Sequence, residues 1–143
     1  MIVRAKLPEE IKAVMDNGIP VLLATCSTDG TPNATVISRV YYVDRETVAL
    51  SFQFFNKTIR NVRENPHAEV CLCDFFGTGD KWVLGLEYDH SETEGPLFDE
   101  MDMQIEAIAS ATGMSGIFKL RAADIYRVIE VEKVTADSNS STE

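Results

Sequence analysis

The stretch VLLATCSTDGTPNATVISRVYYVDRETVALSF, residues 21–52, decides the fold class of this chain. Its first six residues are an apolar run, and a Ser-Thr-Asp-Gly turn signal that ends at Gly30 follows them. Residues 34–43 are rich in β-branched and aromatic side chains, and a charged turn then leads into residues 47–52. The pattern predicts three consecutive antiparallel strands that form a meander.

Helical and extended patterns alternate along the rest of the chain. Further strands are predicted over residues 68–74, 81–94 and 123–134, and helices over residues 7–18, 56–65 and from Gly95 onward. A small sheet of about six strands removes its exposed edges by closing on itself. We therefore expect a mainly β fold, a six-stranded antiparallel barrel with attached helices.

Length and charge limit the organisation and the partners of the protein. The chain has 143 residues, so we expect one domain over residues 1–134 and a polar, disordered tail over residues 135–143. A formal net charge of −10 opposes binding to nucleic acid and to anionic lipid. No apolar run reaches the roughly 18–20 residues that span a bilayer, so no membrane insertion is expected.

The cysteines and histidines indicate a reducing compartment and no metal site. Three cysteines are an odd number, and no secretory signal pattern precedes them, so we expect a cytoplasmic protein. Cys71 and Cys73 are two residues apart on a predicted strand and share one face, which leaves a redox pair as an alternative. The two histidines have no zinc-type spacing with each other or with cysteines.

The start of the predicted helix at residue 56 has the character of an anion site. Asn56 stands at the N-cap position, so the next backbone N–H groups are unsatisfied donors at the positive end of the helix dipole. Lys57 opposes that dipole unless an anion is bound, and Thr58 adds a hydroxyl. Lys57, Arg60 and Asn61 are spaced to share one side of the helix. The alternative is an ordinary capped helix with a solvated basic face.

Four motifs give the chain a family resemblance. They are TCSTDGTPN at residues 25–33, NKTIRN at 56–61, ENP at 64–66 and TEGP at 93–96. In this order and spacing they resemble the pyridoxamine 5'-phosphate oxidase-like FMN-binding split-barrel family. The similarity extends over residues 7–134.

The resemblance implies a homodimeric split barrel with FMN in a cleft between the subunits. Lys57 and Thr58 would hold the phosphate, helped by Asn56 and Ser51. The residues implied along the ribityl chain and the flavin ring are Thr35, Val36, Ile37, Ser38, Ser51, Phe52 and Gln53. Because side chains alternate along a strand, Thr35 and Ile37 face one side and Val36 and Ser38 the other, so some act through the backbone.

The resemblance also implies an FMN-dependent oxidoreductase, similar to the flavin reductases. The oxidases of the vitamin phosphate are longer and carry additional basic residues that this chain lacks, so that activity is not expected. No Gly-rich dinucleotide motif is present, so NAD(P)H would bind only transiently beside the flavin. No catalytic residue is assigned. The alternatives are a non-catalytic FMN carrier, sensor or electron-transfer protein, and the same barrel holding haem or a deazaflavin.

Overall fold

Seven strands form one antiparallel sheet in a computed structural model that describes residues 5–17, 21–37, 39–52, 56–74, 77–111, 113 and 120–134. The strands are β1 Val21–Cys26, β2 Pro32–Ile37, β3 Tyr41–Asp44, β4 Thr47–Phe52, β5 His67–Cys73, β6 Lys81–Glu92 and β7 Ala122–Val134. The helices are α1 Ile11–Asn17, α2 Asn56–Glu64 and α3 Pro96–Ala111.

The strand order shows that the sheet curves into a barrel. It is β2-β1-β5-β6-β7-β4-β3, so the two edge strands β2 and β3 are consecutive in the chain. Only three residues separate Ile37 from Tyr41, which keeps their Cα atoms within about 15 Å of each other. The two edges therefore lie near each other, and within the described sheet no ladder joins β2 to β3. This is a split barrel.

The prediction of six strands and a meander is wrong in one place. The predicted strand over residues 34–43 is two strands, β2 and β3, which lie at opposite edges of the sheet. β-Branched and aromatic residues continue through the corner at Arg39 and Val40 without a glycine or proline. Local preference is therefore extended throughout, and closure of the barrel imposes the corner.

The β1–β2 hairpin forms where the turn signal predicts it. Gly30 adopts a left-handed φ of 89°, which glycine reaches without steric strain. The Asp29 carboxylate accepts the Thr31 N–H at 3.0 Å and also the Ser27 hydroxyl. These bonds fix the register in which Thr25 is paired with Asn33.

The barrel interior holds the larger of two apolar cores. It is lined by buried side chains from six of the seven strands and is closed by Ile11 and Met15 of α1 and by Val62 of α2. None of the helices in the described ranges has the length and apolar character needed to cross a lipid bilayer.

The two outer flanks of the barrel differ. On one flank Met101 and Ile105 of α3 pack on Ala49, Ala123 and Ile125. The other flank, the outer face of β2, β1 and β5, has no helix over it among the described residues. We call it the open flank, and its side chains Leu22 and Val36 are 49% and 60% exposed.

Candidate functional site

Four uncharged polar side chains join the β1–β2 hairpin to the first turns of α2. Asn33 Nδ2 donates to Thr58 Oγ1 at 3.1 Å and to Thr25 Oγ1 at 3.4 Å. Asn61 Nδ2 donates to the same Thr25 oxygen at 3.2 Å. We call Thr25, Asn33, Thr58 and Asn61 the neutral cluster. It brings residues of the motifs at 25–33 and 56–61 into contact.

The neutral cluster changes the interpretation of α2. Thr58 is only 6% exposed and Asn61 is buried, so both side chains face the barrel. Arg60 is exposed. Asn61 thus does not lie on a shared solvated face with Arg60, because its amide is satisfied inside by Thr25. The sequence analysis placed Asn61 on the basic side of α2 and gave Thr25 and Asn33 no role.

β2 runs from the neutral cluster along the edge of the sheet. Ile37 is buried in the barrel, Thr35 is half-buried on the same face, and Val36 points outward to the open flank. The predicted alternation is confirmed at these three positions, and Ser38 lies outside the described residues. Within the described sheet, β2 pairs only with β1, so its other backbone edge has no strand partner.

The residues predicted at the end of β4 are placed less completely. Ser51 is buried and shares a strand face with Ala49, on the side covered by α3. Phe52 ends β4 and Asn56 and Lys57 begin α2, but their side chains lie outside the described part of the structure. Gln53 lies outside it entirely.

A second polar group contains a buried carboxylate. The Tyr88 and Ser91 hydroxyls are 2.5 Å apart, and Ser91 Oγ donates to Asp124 Oδ1 at 2.6 Å. We call Tyr88, Ser91 and Asp124 the acidic cluster. Burial raises the pKa of Asp124 to about 6, against the opposing effects of the Ser91 hydroxyl and the Arg63 charge.

The acidic cluster was missed because Asp124 follows Ser91 by 33 residues in the sequence. Asp124 stands in an apolar strand, on the same face as Tyr126 and Val128, which is the barrel interior. The sequence signal that could have revealed the cluster is a carboxylate at a position of β7 where the alternating pattern expects an apolar, inward-facing side chain.

Beyond the acidic cluster, the end of β6 carries a row of charges that begins at the buried Glu87 and continues to the exposed Asp89 and His90. Arg127 pairs with Glu87 and, at 2.7 Å, with Asp89. His90 lies between Asp89 and Glu92, with ring nitrogens 2.5 and 2.9 Å from their carboxylates. Hydrogen bonds to Glu92, which has the larger effect, and to Asp89 raise the pKa of His90. In the parts of the chain that are described, no three His, Cys, Asp or Glu side chains converge to hold a metal ion.

The open flank contains a shallow depression of about 290 Å³ between β1 and β5. Its lining residues are Ala24, Thr25, Cys26, Asn65, His67, Ala68 and Glu69. Cys26, Cys71 and Cys73 are unpaired and half-buried. The depression adjoins the neutral cluster, since Thr25 belongs to both.

Comparison with known families and sequences agrees with the motifs. The family model described as pyridoxamine 5'-phosphate oxidase matches residues 7–131. An uncharacterized protein of Methanocaldococcus jannaschii is 40% identical over 125 residues, which cover 86% of this chain and 81% of that protein.

Solved structures share the fold at low sequence identity. An FMN-binding protein from Syntrophomonas wolfei superposes with a TM-score of 0.73 and 18% identity, over 89% of this chain and 85% of that one. An F420 reductase has a TM-score of 0.64 and 14% identity, over 88% and 98%. The heme storage protein of Vibrio cholerae has a TM-score of 0.59 and 16% identity, over 93% and 99%. The split barrel is therefore common to proteins with different ligands.

Proposed function

Because the chain belongs to the pyridoxamine 5'-phosphate oxidase family, we propose that it binds FMN, with the phosphate at the N-terminus of α2. The observation that supports this most is the neutral cluster. It fixes a helix N-terminus, which attracts anions, against the start of an edge strand. A phosphate and an elongated planar ring need these two features side by side.

The phosphate end is proposed to use the first turn of α2. The unsatisfied N–H groups of a helix start and the positive end of its dipole favour a dianion. The Thr58 hydroxyl adds a donor, and Lys57 adds a charge-assisted contact. Asn56 and Ser51 are proposed helpers. This local positive site offsets the net charge of −10, which would otherwise repel FMN.

The ring end is proposed to lie along β2. The backbone edge of this strand that has no partner within the described sheet would offer N–H and C=O groups to the polar rim of a flavin. The residues proposed for these contacts are Thr35, Val36, Ile37 and Ser38. Ile37 is buried inward and so would contribute only its backbone. The exposed Val36 side chain suits the apolar ring face, and Phe52 and Gln53 are proposed on the other side.

We propose that the open flank forms a homodimer interface that completes the FMN cleft. A cross-strand row of apolar side chains, Val36, Leu22 and Cys71, runs across this flank and continues to Val83 on the neighbouring strand β6. Packing this row against a second copy of the chain would remove its apolar surface from water, on a flank that no described helix covers. FMN at the β2 edge would then contact both subunits.

The dimer is tested by Leu22→Glu, with Met103→Glu as the matched control. Leu22 is 49% exposed on the open flank, and Met103 is 66% exposed on α3 at the other flank. Sedimentation should show a dimer for the wild type and for Met103→Glu and a monomer for Leu22→Glu, which should also lose FMN. A wild-type monomer that still holds FMN would contradict the shared cleft.

The activity proposed is an oxidoreductase, with NAD(P)H as a transient donor. When bound, FMN supplies hydride and electron transfer, and the chain contributes binding, orientation and exclusion of water. No side chain is assigned as nucleophile or proton donor. Steady oxidation of NAD(P)H by the holoprotein with an electron acceptor is the expected result. Holoprotein that NAD(P)H does not reduce would instead support a non-catalytic carrier, sensor or electron-transfer protein.

The cofactor itself is tested by spectrum and by charge removal. Purified protein should show flavin absorption, and Lys57→Ala should weaken FMN by about 1–3 kcal/mol while riboflavin, which lacks the phosphate, is nearly unaffected. Equal weakening of both ligands would contradict the phosphate assignment.

Haem or a deazaflavin is the second candidate ligand, because an F420 reductase and a heme storage protein share the fold. A Soret band in the purified protein, or tighter binding of F420 than of FMN in a competition titration, would favour that candidate.

A cytoplasmic location belongs to the same proposal. Three unpaired cysteines, each half-buried rather than sealed in the core, fit a reducing compartment. Fractionation of cells that produce the protein should recover it in the cytosolic fraction.

A further inference from the structure

In each hydrogen bond of the neutral cluster an asparagine amide donates to a threonine hydroxyl oxygen. An amide nitrogen only donates, so the Thr58 oxygen accepts from Asn33 and the Thr25 oxygen accepts from both Asn33 and Asn61. The hydrogen of the Thr58 hydroxyl is not consumed by these bonds. No described residue accepts it, although Thr58 is almost completely buried. Among the described residues this hydrogen is therefore left for an acceptor that a bound phosphate would supply.

We propose that Asn33 is a positioning residue for the phosphate, one that orients the Thr58 hydroxyl as a donor toward it. This inference rests on the proposed FMN site. Because the Thr58 oxygen accepts a hydrogen bond from Asn33, one of its lone pairs points toward the Asn33 amide. The hydrogen of the Thr58 hydroxyl therefore points away from that amide. A donor oriented before binding loses less entropy when the anion binds than a free rotor does.

Asn61 and Thr25 fix the rest of this arrangement. Asn61 follows Thr58 by three residues, so both side chains leave α2 on the same face. Thr25 is paired directly with Asn33 in the hairpin register. The first two turns of α2 are therefore bonded to both strands of the hairpin, and the helix start cannot rotate without breaking buried bonds.

The test compares FMN with riboflavin in the full-length protein, using flavin fluorescence titration of Asn33→Ala. We expect FMN to weaken about tenfold and riboflavin by less than about twofold, because only the phosphate uses the oriented hydroxyl. Thr58→Val should give the same selective loss. The double variant should bind FMN no more weakly than Thr58→Val alone, since Asn33 acts through that hydroxyl.

Asn33→Asp is a second variant that keeps the shape of the side chain and the hairpin. A carboxylate only accepts, so it would draw the Thr58 hydrogen inward and add a negative charge near the phosphate. FMN should weaken more than in Asn33→Ala, and riboflavin should again change little.

Asn65→Ala is the matched control. Asn65 Nδ2 donates to the Cys26 carbonyl oxygen at 3.3 Å and so ties the same hairpin to the other end of α2. It should change FMN and riboflavin binding by equal factors. If Asn33→Ala behaves like Asn65→Ala while the wild type still prefers FMN to riboflavin, the positioning role is overturned and the FMN site stands. If the wild type does not bind FMN, the proposed function fails and this inference fails with it.

Discussion

The neutral cluster and the acidic cluster both bury polar side chains within a small barrel, yet they differ in kind. The neutral cluster consists of amides and hydroxyls, and each of its hydrogen bonds joins uncharged groups. The acidic cluster contains Asp124, whose ionised form has one hydroxyl donor and the charge of Arg63 as its support. Burying a neutral pair is inexpensive, whereas burying a charge is costly without a close partner.

Because of this difference, the two clusters are expected to respond differently to pH. Hydrogen bonds between amides and hydroxyls do not change between about pH 4 and pH 9, because neither kind of group titrates in that range. Asp124, in contrast, titrates near pH 6 in the folded chain, where its pKa is about 6. The end of α2 that is proposed to hold the phosphate is therefore fixed by groups that do not respond to pH.

The largest expected effect is that of Asp124→Asn on stability. The folded pKa of Asp124, about 6, exceeds its ordinary value of 3.8. Its protonated form therefore stabilises the fold fully below pH 3.8, and this contribution is lost as pH rises through 6. A shift of this size corresponds to about 3 kcal/mol. Asparagine, which is neutral throughout, should unfold at higher urea than wild type at pH 8, with little difference at pH 4.

Both proteins must be measured at each pH, because the other carboxylates change the stability of both alike. The quantity of interest is the difference between variant and wild type. A variant that is less stable than wild type at pH 8 would show that the Asp124 charge is supported by more than Ser91 and Arg63.

A smaller loss is expected for Thr25→Val in the neutral cluster. Valine has nearly the shape of threonine but cannot accept hydrogen bonds, so the Asn61 amide loses its partner in a buried site. We expect a loss of about 2 kcal/mol. Unlike the effect of Asp124→Asn, this loss should be the same at pH 5 and pH 8 in urea denaturation.

Thr47→Val is the control for that measurement. Thr47 is a half-buried strand residue with no side-chain hydrogen bond to the described residues, so its change should stay within about 0.5 kcal/mol. Equal losses at Thr25 and Thr47 would show that the neutral cluster adds nothing to stability.

The smallest effect is expected at His90. Its pKa is raised by Glu92 and Asp89, so its charged pairs stabilise the fold below the ordinary pKa of 6.5, and this is lost as pH rises through the higher folded value. The side chain is 49% exposed, so solvent screens the pairs. His90→Gln should lower stability by only a few tenths of a kcal/mol at pH 5 and by nothing at pH 9. A proton NMR titration should place the His90 pKa above 6.5; a lower value would contradict the pairing.

Local sequence patterns predicted most of the elements. The turn at Gly30, the strand Val21–Cys26, the strand Thr47–Phe52 and the start of α2 at Asn56 are where the sequence indicates them. Each depends on interactions between near neighbours, such as a glycine at positive φ or a cap before a helix. Such signals are contained within a few residues and can be read directly.

The corner between β2 and β3 could not be predicted in that way. Val40 is buried in the barrel interior and Tyr41 under α3, so the chain there is held by two different cores. Neither core is visible from residues 34–43 alone. The strand count was wrong because the division depends on where distant strands close the barrel.

The candidate site likewise contains features that local sequence predicts and features that only tertiary packing creates. The cap at Asn56, the cation at Lys57 and the hydroxyl at Thr58 are adjacent in sequence, and together they predict an anion site. That Asn33 reaches Thr58, 25 residues away, and that Asn61 turns inward to Thr25 depend on packing α2 against the hairpin. The acidic cluster likewise joins Ser91 to Asp124 across 33 residues.

The sequence by itself determined the mainly β class, the hairpin, the start of α2 and the family. Alternation, turn chemistry and capping act over a few residues, and the motifs keep their order along the chain. Only the tertiary structure decided that the described sheet has seven strands, that no described helix covers one flank, and that Asn33 on β2 donates to Thr58 of α2. Those features arise from closure of the barrel, which brings together polar groups whose partners lie tens of residues away.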